Sequence, residues 1–407
     1  MPQINCWKDI IDEDTTLIFD LDTPIHQAAN LGERTEIKII HKPTGKEVFK
    51  EKDKPVMKNK CSNPETLDIS YEGKETPQWV SVDTGETANV RFKNKTEFWG
   101  RTKKVASGWL GDRNTERVAK KLEPFDKSEF EITTLQIKDN EGLPYYVLKN
   151  KIREICDYLG IHKKLMYVGR GETHRHKLDM PVKYKSGRGD AIRPLMLQDM
   201  REYAIKLGAK WVDNVEPDDV INFYAWESHI HYKATGKHKY IVITIDKDNY
   251  GFNGLYFNYY KDQGCHDWKH PYPILVNGLG YLKMEKGKCK GEGQLWALAQ
   301  FLFGDSTDDF SPTKHAKISF ADKAAYEYLA TCTTVKQAFE KVVAKYYEWY
   351  PEGVKFKSWT GEEVELTTVE WMNRIWTMLY MMKSYDDDTT FTGICDRMGV
   401  KYNYETS

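Results

Sequence analysis

The sequence predicts an α/β protein built on a parallel sheet flanked by helices, with a β-hairpin-rich insertion and a mainly α C-terminal part. Three observations predict it. Apolar runs of strand length alternate with segments of helical period, as they do where helices connect parallel strands. Several of those runs end in carboxylates, and the C-terminal edge of such a sheet is where ligands bind. Between the first strand and the second, about 95 residues rich in Lys, Glu, Thr and Gly alternate with period two, the pattern of hairpins with one wet face.

Taken in order, Thr16 to Phe19 (TLIF) reads as a buried strand delivering Asp20 and Asp22 to its C-terminal end. PIHQAAN after it reads as a helix with Pro24 near the first turn, where a missing N–H is harmless. From about Glu33 to Lys127, TEIKIIHKPTGKEVF and WVSVDTGETANVRF each carry a Gly-containing turn. Helical period resumes at Val147 to Leu159, and a second buried strand follows at Lys164 to Val168 (KLMYV). A helix over about Leu195 to Leu207 leads to a strand at Lys210 to Val212, then to the acidic VEPDD and the helical VINFYAWESHI. Tyr240 to Ile245 (YIVITI) is the clearest buried strand, β-branched and running into DKD. Beyond Gly293, QLWALAQFLFGDSTDDF, DKAAYEYLA, VKQAFEKVVAKYYEWY and VEWMNRIWTMLYMM are helical in period.

With 407 residues, 40% hydrophobic and 13% aromatic, the chain has enough apolar surface for a large core, which excludes a disordered or fibrous protein. Its formal net charge of -1 neither invites nor forbids a nucleic-acid partner, so any basic surface is local. Residues 161 to 210 supply one, with 12 Lys and Arg against 5 Asp and Glu. Seven cysteines without a CxxC pair fit reduced thiols in a cytoplasm rather than a disulfide framework or a zinc site. No apolar run approaches the ~20 residues that span a bilayer, and the N-terminus does not read as a secretory leader. The expectation is a cytoplasmic protein with no membrane partner.

Ten carboxylates lie at or just beyond these elements: Asp20 and Asp22; Glu216, Asp218 and Asp219; Asp246 and Asp248; Asp305, Asp308 and Asp309. Any one such group is commonly a helix cap or a solvated turn residue. Gathered on one sheet edge, they repel one another and stay ionised only with cations between them. Oxygen-only ligands favour Mg²⁺ or Mn²⁺, and two such ions about 4 Å apart stabilise the attacking and leaving oxygens of a phosphodiester. The chemistry that follows is hydrolysis of a nucleic-acid backbone.

Five stretches in order carry a resemblance: LIFDLDTPIHQAA, Tyr184-Lys-Ser-Gly-Arg188, VEPDDV, ITIDKD and FGDSTDDF. They resemble the first strand and helix, the YKxxR, EADDV and DxD elements and the GDxxDN of the 5′ nucleases. That family includes the 5′→3′ exonucleases of bacteriophages, the exonuclease domain of bacterial DNA polymerase I and the flap endonucleases. The resemblance implies a PIN-like core over 1–32 and 134–292, a β-rich insertion over 33–133, and a helical DNA-binding region over 293–407 with a degenerate helix-three-turn-helix. It implies that Asp20, Glu216 and Asp218 hold one metal ion, and that Asp219, Asp246, Asp248, Asp305 and Asp308 hold a second. Asp20 and Asp218 would act in catalysis with Lys185 and Arg188, which would grip the scissile phosphate, while Tyr184 would stack on the terminal base. Arg175, Lys314, Lys317 and Lys323 would contact nucleic acid. The expected partner is DNA with a 5′ end, nick or flap, with RNA–DNA hybrid as a further substrate, in a host cytoplasm if the protein is phage-encoded.

The chain departs from that family in four places. No Asp follows the second strand, where VGRGETHRH offers only Glu172 as a carboxylate to complete the first metal site. SPTKHAKISFADKAAYEYL, after GDSTDD, lacks the family's glycine-rich hairpin, and Asp309, followed by Phe310, holds the place of the family's Asn. Only 27 residues separate Arg188 from Glu216, too few for a long threading arch. The insertion has no counterpart, and its FKNKTEFWGRTKK places Phe92, Phe98 and Trp99 among Lys93, Lys95, Arg101, Lys103 and Lys104, a pattern shared by a base-stacking surface and an ordinary half-buried hairpin. Three other readings stay open: a PIN-type ribonuclease, a nonenzymatic nucleic-acid-binding protein that keeps the fold, and a phosphatase using FDLDT as a nucleophile motif.

Overall fold

The computed structural model describes residues 7–51, 89–100, 108–190, 192–259 and 272–403. The chain divides into two compact units, Met1–Leu31 with Gly142–Ser407, and Gly32–Glu141. The first unit opens with strand β1 (Ile11–Asp20) and helix α1 (Asp22–Ala29). The second unit holds β2 (Glu33–His41), β3 (Lys46–Glu47), β4 (Lys50–Glu51), β5 (Asn89–Val90), α2 (Lys95–Trp99), α3 (Trp109–Ala119) and β6 (Phe130–Lys138). The first then resumes with α4 (Gly142–Leu159), β7 (Lys164–Thr173), α5 (Leu197–Lys206), β8 (Lys210–Asn214), α6 (Pro217–Thr235) and β9 (His238–Ile243). It continues through β10 (Gly254–Phe257), β11 (Ile274–Val276), the hairpin β12 (Tyr281–Glu285) and β13 (Lys288–Glu292), α7 (Gln294–Phe303), α8 (Asp322–Leu329) and α9 (Val335–Trp349). The hairpin β14 (Val354–Lys357) and β15 (Glu363–Leu366), α10 (Thr368–Leu379) and α11 (Phe391–Met398) complete it.

The expected parallel sheet is present, in the order β11-β10-β9-β1-β7-β8. All its pairings are parallel except β10 with β11. Both faces are covered, which is why TLIF and YIVI read as continuous apolar runs rather than alternating ones. Leu17, Phe19, Ile241 and Ile243 point to one face, where they meet Ile25 of α1, Leu148 and Ile152 of α4 and Met200 of α5. Ile18 and Val242, opposite each other in register, point to the other face and join Val220 and Ile221 of α6. The C-terminal helices share that second core through Leu298, Phe301, Trp371 and Trp376. Helix α7 is buried at every position from Leu295 to Leu302, the signature of a central helix. The described cysteines Cys156, Cys289, Cys332 and Cys395 are free and buried, and no helix among the described residues is long and apolar enough to cross a membrane.

In the second unit β2 pairs antiparallel with both β3 and β6, and TEIKIIHKPTGKEVF is the hairpin its alternation announced. The WVSVDTG half of the other expected hairpin lies outside the described residues. Period two did not announce α2 and α3. The FKNKTEFW stretch also differs from a base-stacking surface: Phe92 and Phe98 are fully buried with Ile37, Ile39, Leu110 and Phe130, so their rings form this unit's core. Arg101, Lys103 and Lys104 lie outside the described residues.

Candidate active site

Chain order places the site before any side chain is considered. From β1 the chain moves outward through β7 to β8, then returns to put β9 on the other side of β1. The carboxyl ends of β1 and β9 therefore flank a topological switch point, the crevice where α/β sheets bind ligands. Asp20 is the last residue of β1, Asp22 opens α1, Glu216 is the N-cap of α6, and Asp218 lies in its first turn. Asp246 and Asp248 follow β9. Asp305 and Asp308 sit on a short loop after α7, closed by paired backbone bonds between Asp305 and Phe310 of 3.0 and 3.1 Å. Gly304 permits that turn, because its φ is +79° and a Cβ would stand 2.5 Å from the Phe310 carbonyl. These eight carboxylates line one cavity of about 190 Å³ together with Arg175, Lys185, Arg188, Lys247 and Gln300.

Two motifs far apart in sequence clasp each other at its mouth. The Lys185 N–H donates to the Asp308 carbonyl at 3.3 Å, the Gly187 N–H to Asp309 Oδ2 at 2.7 Å, and Arg188 pairs with Asp308 Oδ1 at 2.7 Å. Lys185 also bonds Glu216 Oε1. On the far side Lys247 Nζ reaches Asp305 Oδ2 at 2.8 Å and Asp248 Oδ1 at 3.4 Å, Gln300 Nε2 bonds Asp248, and Asn249 donates to Asp218 Oδ1 at 2.9 Å.

The charges are unevenly balanced. Burial and the neighbouring Asp22 push the Asp20 carboxyl up to about 8. Burial and Asp218 push Asp246 to about 7, and burial and Asp246 push Asp248 to about 7. Asp218 is raised well above the carboxylate range by burial and then by Asp20. Glu216 goes the other way: burial alone would raise it, but Arg175 and Lys185 together bring it down to about 2. Asp305 is likewise lowered, the Lys247 ammonium outweighing burial.

Such a set suits hard divalent cations. The donors are all oxygens, and eight carboxylates face four cations around the cavity. Two buried acceptors beside it, Gln300 Oε1 and Asn249 Oδ1, have no hydrogen-bond partner, and a hydrated ion supplies donors to such groups. Among the described residues no three acidic, His or Cys side chains are already arranged to grip an ion. Several of their oxygens are bonded instead to Lys185, Arg188, Lys247 and Gln300.

Several expected site residues lie elsewhere or have their polar groups engaged by other side chains, as Arg175 and Tyr184 do in the cavity wall. Asp219 is fully buried, and both its oxygens are taken by Arg175 at 2.8 Å, with the Glu216 N–H adding a capping bond at 3.1 Å. It is the N3 partner in a capping box rather than a residue facing the cavity. Arg175, only 1% exposed, spends its guanidinium on Asp219, Glu216 and the Tyr380 carbonyl and offers nothing to a phosphate. Tyr184 is 3% exposed and its one hydroxyl proton is shared between Glu216 Oε2 at 2.8 Å and Asp308 Oδ2 at 3.0 Å, so its ring is packed rather than open to a base. Glu172 pairs with Lys183 at 2.9 Å away from the cavity. Lys314, Lys317 and Lys323 are exposed and do not line it. Lys247, Asn249 and Gln300 were missed because nothing local marks them; only their contact with Asp305, Asp218 and Asp248 does. A larger groove of about 750 Å³ along α6 is lined chiefly by Phe223, Tyr224, Trp226 and Ile230, and none of the clustered carboxylates reaches it.

Gly169 on β7 gives Asp22 its place. Its N–H donates to Asp22 Oδ1 at 3.1 Å, and a Cβ there would stand 2.7 Å from Asp22 Oδ2 and 3.1 Å from Pro217 Cδ. Gly169→Ala is expected to displace the Asp22 carboxylate and to cost about 1–2 kcal/mol in urea unfolding. An unchanged midpoint would show that the site has room to yield.

No protein-family model matches the chain, and no curated protein matches it. Among solved structures it is similar to a mutant of the T5 5′-exonuclease, with a TM-score of 0.30 and 11% identity over 48% of this chain and 69% of that one. It is also similar to the bacteriophage T5 flap endonuclease in a pseudo-enzyme–product complex with DNA and metal ions, with a TM-score of 0.31 and 12% identity over 46% of this chain and 68% of that one. At these values the likeness decides nothing about the site, whose reading rests on its own residues.

Proposed function

We propose that this protein is a divalent-metal-dependent nuclease that hydrolyses DNA from 5′ ends, nicks or flaps, with Mg²⁺ or Mn²⁺ as the resident ions. The observation that carries the reading is the eight-carboxylate cavity at the sheet's switch point, with Lys185 and Arg188 at its mouth. Without added cations the cavity would repel a phosphodiester, so substrate binding and catalysis both require metal. Asp20, Glu216 and Asp218 would hold one ion, and Asp246, Asp248, Asp305 and Asp308 the other. Bound there, such ions supply an activated water and Lewis-acid stabilisation of the phosphoryl oxygens. The chain's own side chains do the rest. Lys185 and Arg188 orient the phosphate and offset charge that grows on it in the transition state. Glu216, kept ionised by Arg175 and Lys185, presents a fixed anion to the site. The 5′ polarity and the choice of DNA are what the resemblance of LIFDLD, YKSGR, VEPDDV, ITIDKD and GDSTDDF to the 5′ nucleases implies. In this reading 1–32 and 134–292 form the nuclease core, 33–133 is an insertion, and 293–407 is a helical DNA-binding region.

The test is cleavage of end-labelled nicked duplex, 5′-flap, single-stranded DNA, RNA and RNA–DNA hybrid, with Mg²⁺ or with EDTA, by wild type and Asp246→Asn. The expected result is Mg²⁺-dependent release of short products from DNA 5′ ends by wild type only. Cleavage confined to single-stranded RNA would favour the ribonuclease reading, and binding without cleavage would favour the nonenzymatic one.

A further inference from the structure

The cavity's ion pairs are not spread evenly over its carboxylates. Lys185, Arg175 and Arg188 serve Glu216 and Asp308, and Lys247 serves Asp305 and Asp248. Among the described residues none of these pairs reaches Asp20, Asp218 or Asp246. The cavity therefore has a central part whose carboxyl groups are in no ion pair and a flank that carries an ammonium group of its own.

Lys247 is held on that flank from several directions. Its ammonium stands 2.8 Å from Asp305 Oδ2 and 3.4 Å from Asp248 Oδ1. It lies 5.8 Å from the centroid of the Trp296 ring, whose indole N–H donates to the Lys247 carbonyl at 2.9 Å. Asp248 is fixed in turn by Gln300, which is fully buried on α7 and whose own Oε1 is unpartnered. The lysine side chain is 52% exposed, so it can leave toward solvent without opening the core.

We infer that Lys247 is a built-in counter-ion that competes with the second divalent cation, so that the protein binds one ion tightly at the site of Asp20 and Asp218 and a second weakly at the site of Asp248 and Asp305. This rests on the metal-dependent nuclease reading and adds to it the order in which the ions load. An ion arriving beside Asp20 and Asp218 meets carboxyl groups that no ammonium or guanidinium group holds in an ion pair. One arriving beside Asp248 and Asp305 must first displace an ammonium group, and an extra positive charge a few ångströms away weakens its binding directly.

The experiment is Mn²⁺ titration by calorimetry, with bound ions counted by electron paramagnetic resonance, on wild type, Lys247→Met and Lys247→Arg of the full chain. Wild type is expected to show two binding events separated by at least about tenfold in affinity. Lys247→Met is expected to tighten the weak event by about tenfold or more and to change the tight one far less. Lys247→Arg keeps the charge and should keep the gap. Thermal melts of each variant show whether the fold is intact; Lys247→Gln stands in for Lys247→Met if the latter melts early. Two equal events in wild type, or a weak event that neither neutral variant tightens, would overturn the proposal and leave the nuclease reading standing. No Mn²⁺ bound by wild type would overturn both.

Discussion

Asp218→Asn is expected to lower metal-dependent cleavage on the order of a thousandfold or more while making the metal-free protein more stable. The two effects share one cause. Asp218 is buried beside Asp20 and Glu216, and both burial and those neighbours oppose its ionisation. An aspartate that is needed to hold a cation is, without the cation, a source of strain. The same strain makes stability depend on pH. Asp20 at about 8 and Asp246 and Asp248 at about 7 lie far above the ordinary aspartate value of 3.8. For groups raised in this way the folded state binds more protons than the unfolded one, so their contribution is fully present below about pH 4 and is lost as pH rises through 7 to 8. Buried His229 and His238, lowered to about 4, act with the opposite sign below about pH 6.5 and add nothing further above it. The clean window is therefore about pH 6.5 to about pH 8.5, where the protein in EDTA should lose about 2–4 kcal/mol of unfolding free energy. Saturating Mg²⁺ should abolish the loss, and Asp218→Asn should reduce it. Urea unfolding at the two pH values, with and without metal, measures this. Stability that is flat or rising across the window in EDTA would mean that the carboxylates are neutralised in some other way.

Arg175→Met is expected to cost about 3–5 kcal/mol of folding free energy, because it leaves Asp219 charged, buried and unpaired. The Arg175 guanidinium bonds Asp219 twice, Glu216 once and the Tyr380 carbonyl once, at 2.6 to 2.8 Å, and so joins the segment after β7, the start of α6 and the end of α10. Arg175→Lys should recover little, since an ammonium group cannot make the planar two-pronged bond. The double variant Arg175→Met with Asp219→Asn should lose less than the two single losses combined, because each single change strands the other partner. Additive losses in urea unfolding, or a loss under about 1 kcal/mol for Arg175→Met, would rule out a tightly coupled pair. Cleavage by Arg175→Met should fall as well, since Glu216 loses one of the two cations that keep it ionised and in place.

What the sequence determined by itself is what depends on local pattern. Apolar runs with both faces buried marked β1, β7 and β9, and the residue at the end of a run is at the end of the strand whatever the rest of the fold does. Asp20, Glu216, Asp218, Asp246 and Asp248 could therefore be assigned to one sheet edge from strand and helix boundaries alone. The C-terminal strand pairs β12–β13 and β14–β15 were not legible, because short hairpins packed on helices carry too little periodic signal. Nor was the fate of the aromatic insert stretch, since Phe92 and Phe98 look the same in sequence whether they face bases or a core.

Only the tertiary structure decided which of two neighbouring residues faces the cavity. Asp218 and Asp219 are adjacent on α6, and consecutive positions on a helix point about 100° apart. One of them had to turn away, and a single arginine 44 positions earlier than Asp219 decided which. The same holds for Lys185, Gly187 and Arg188, whose seats on Asp308 and Asp309 come from a loop more than a hundred residues later in the chain. Side-chain direction at a helix start or in a loop is set by the long-range partner that fixes it, and that partner is defined only once the chain has folded.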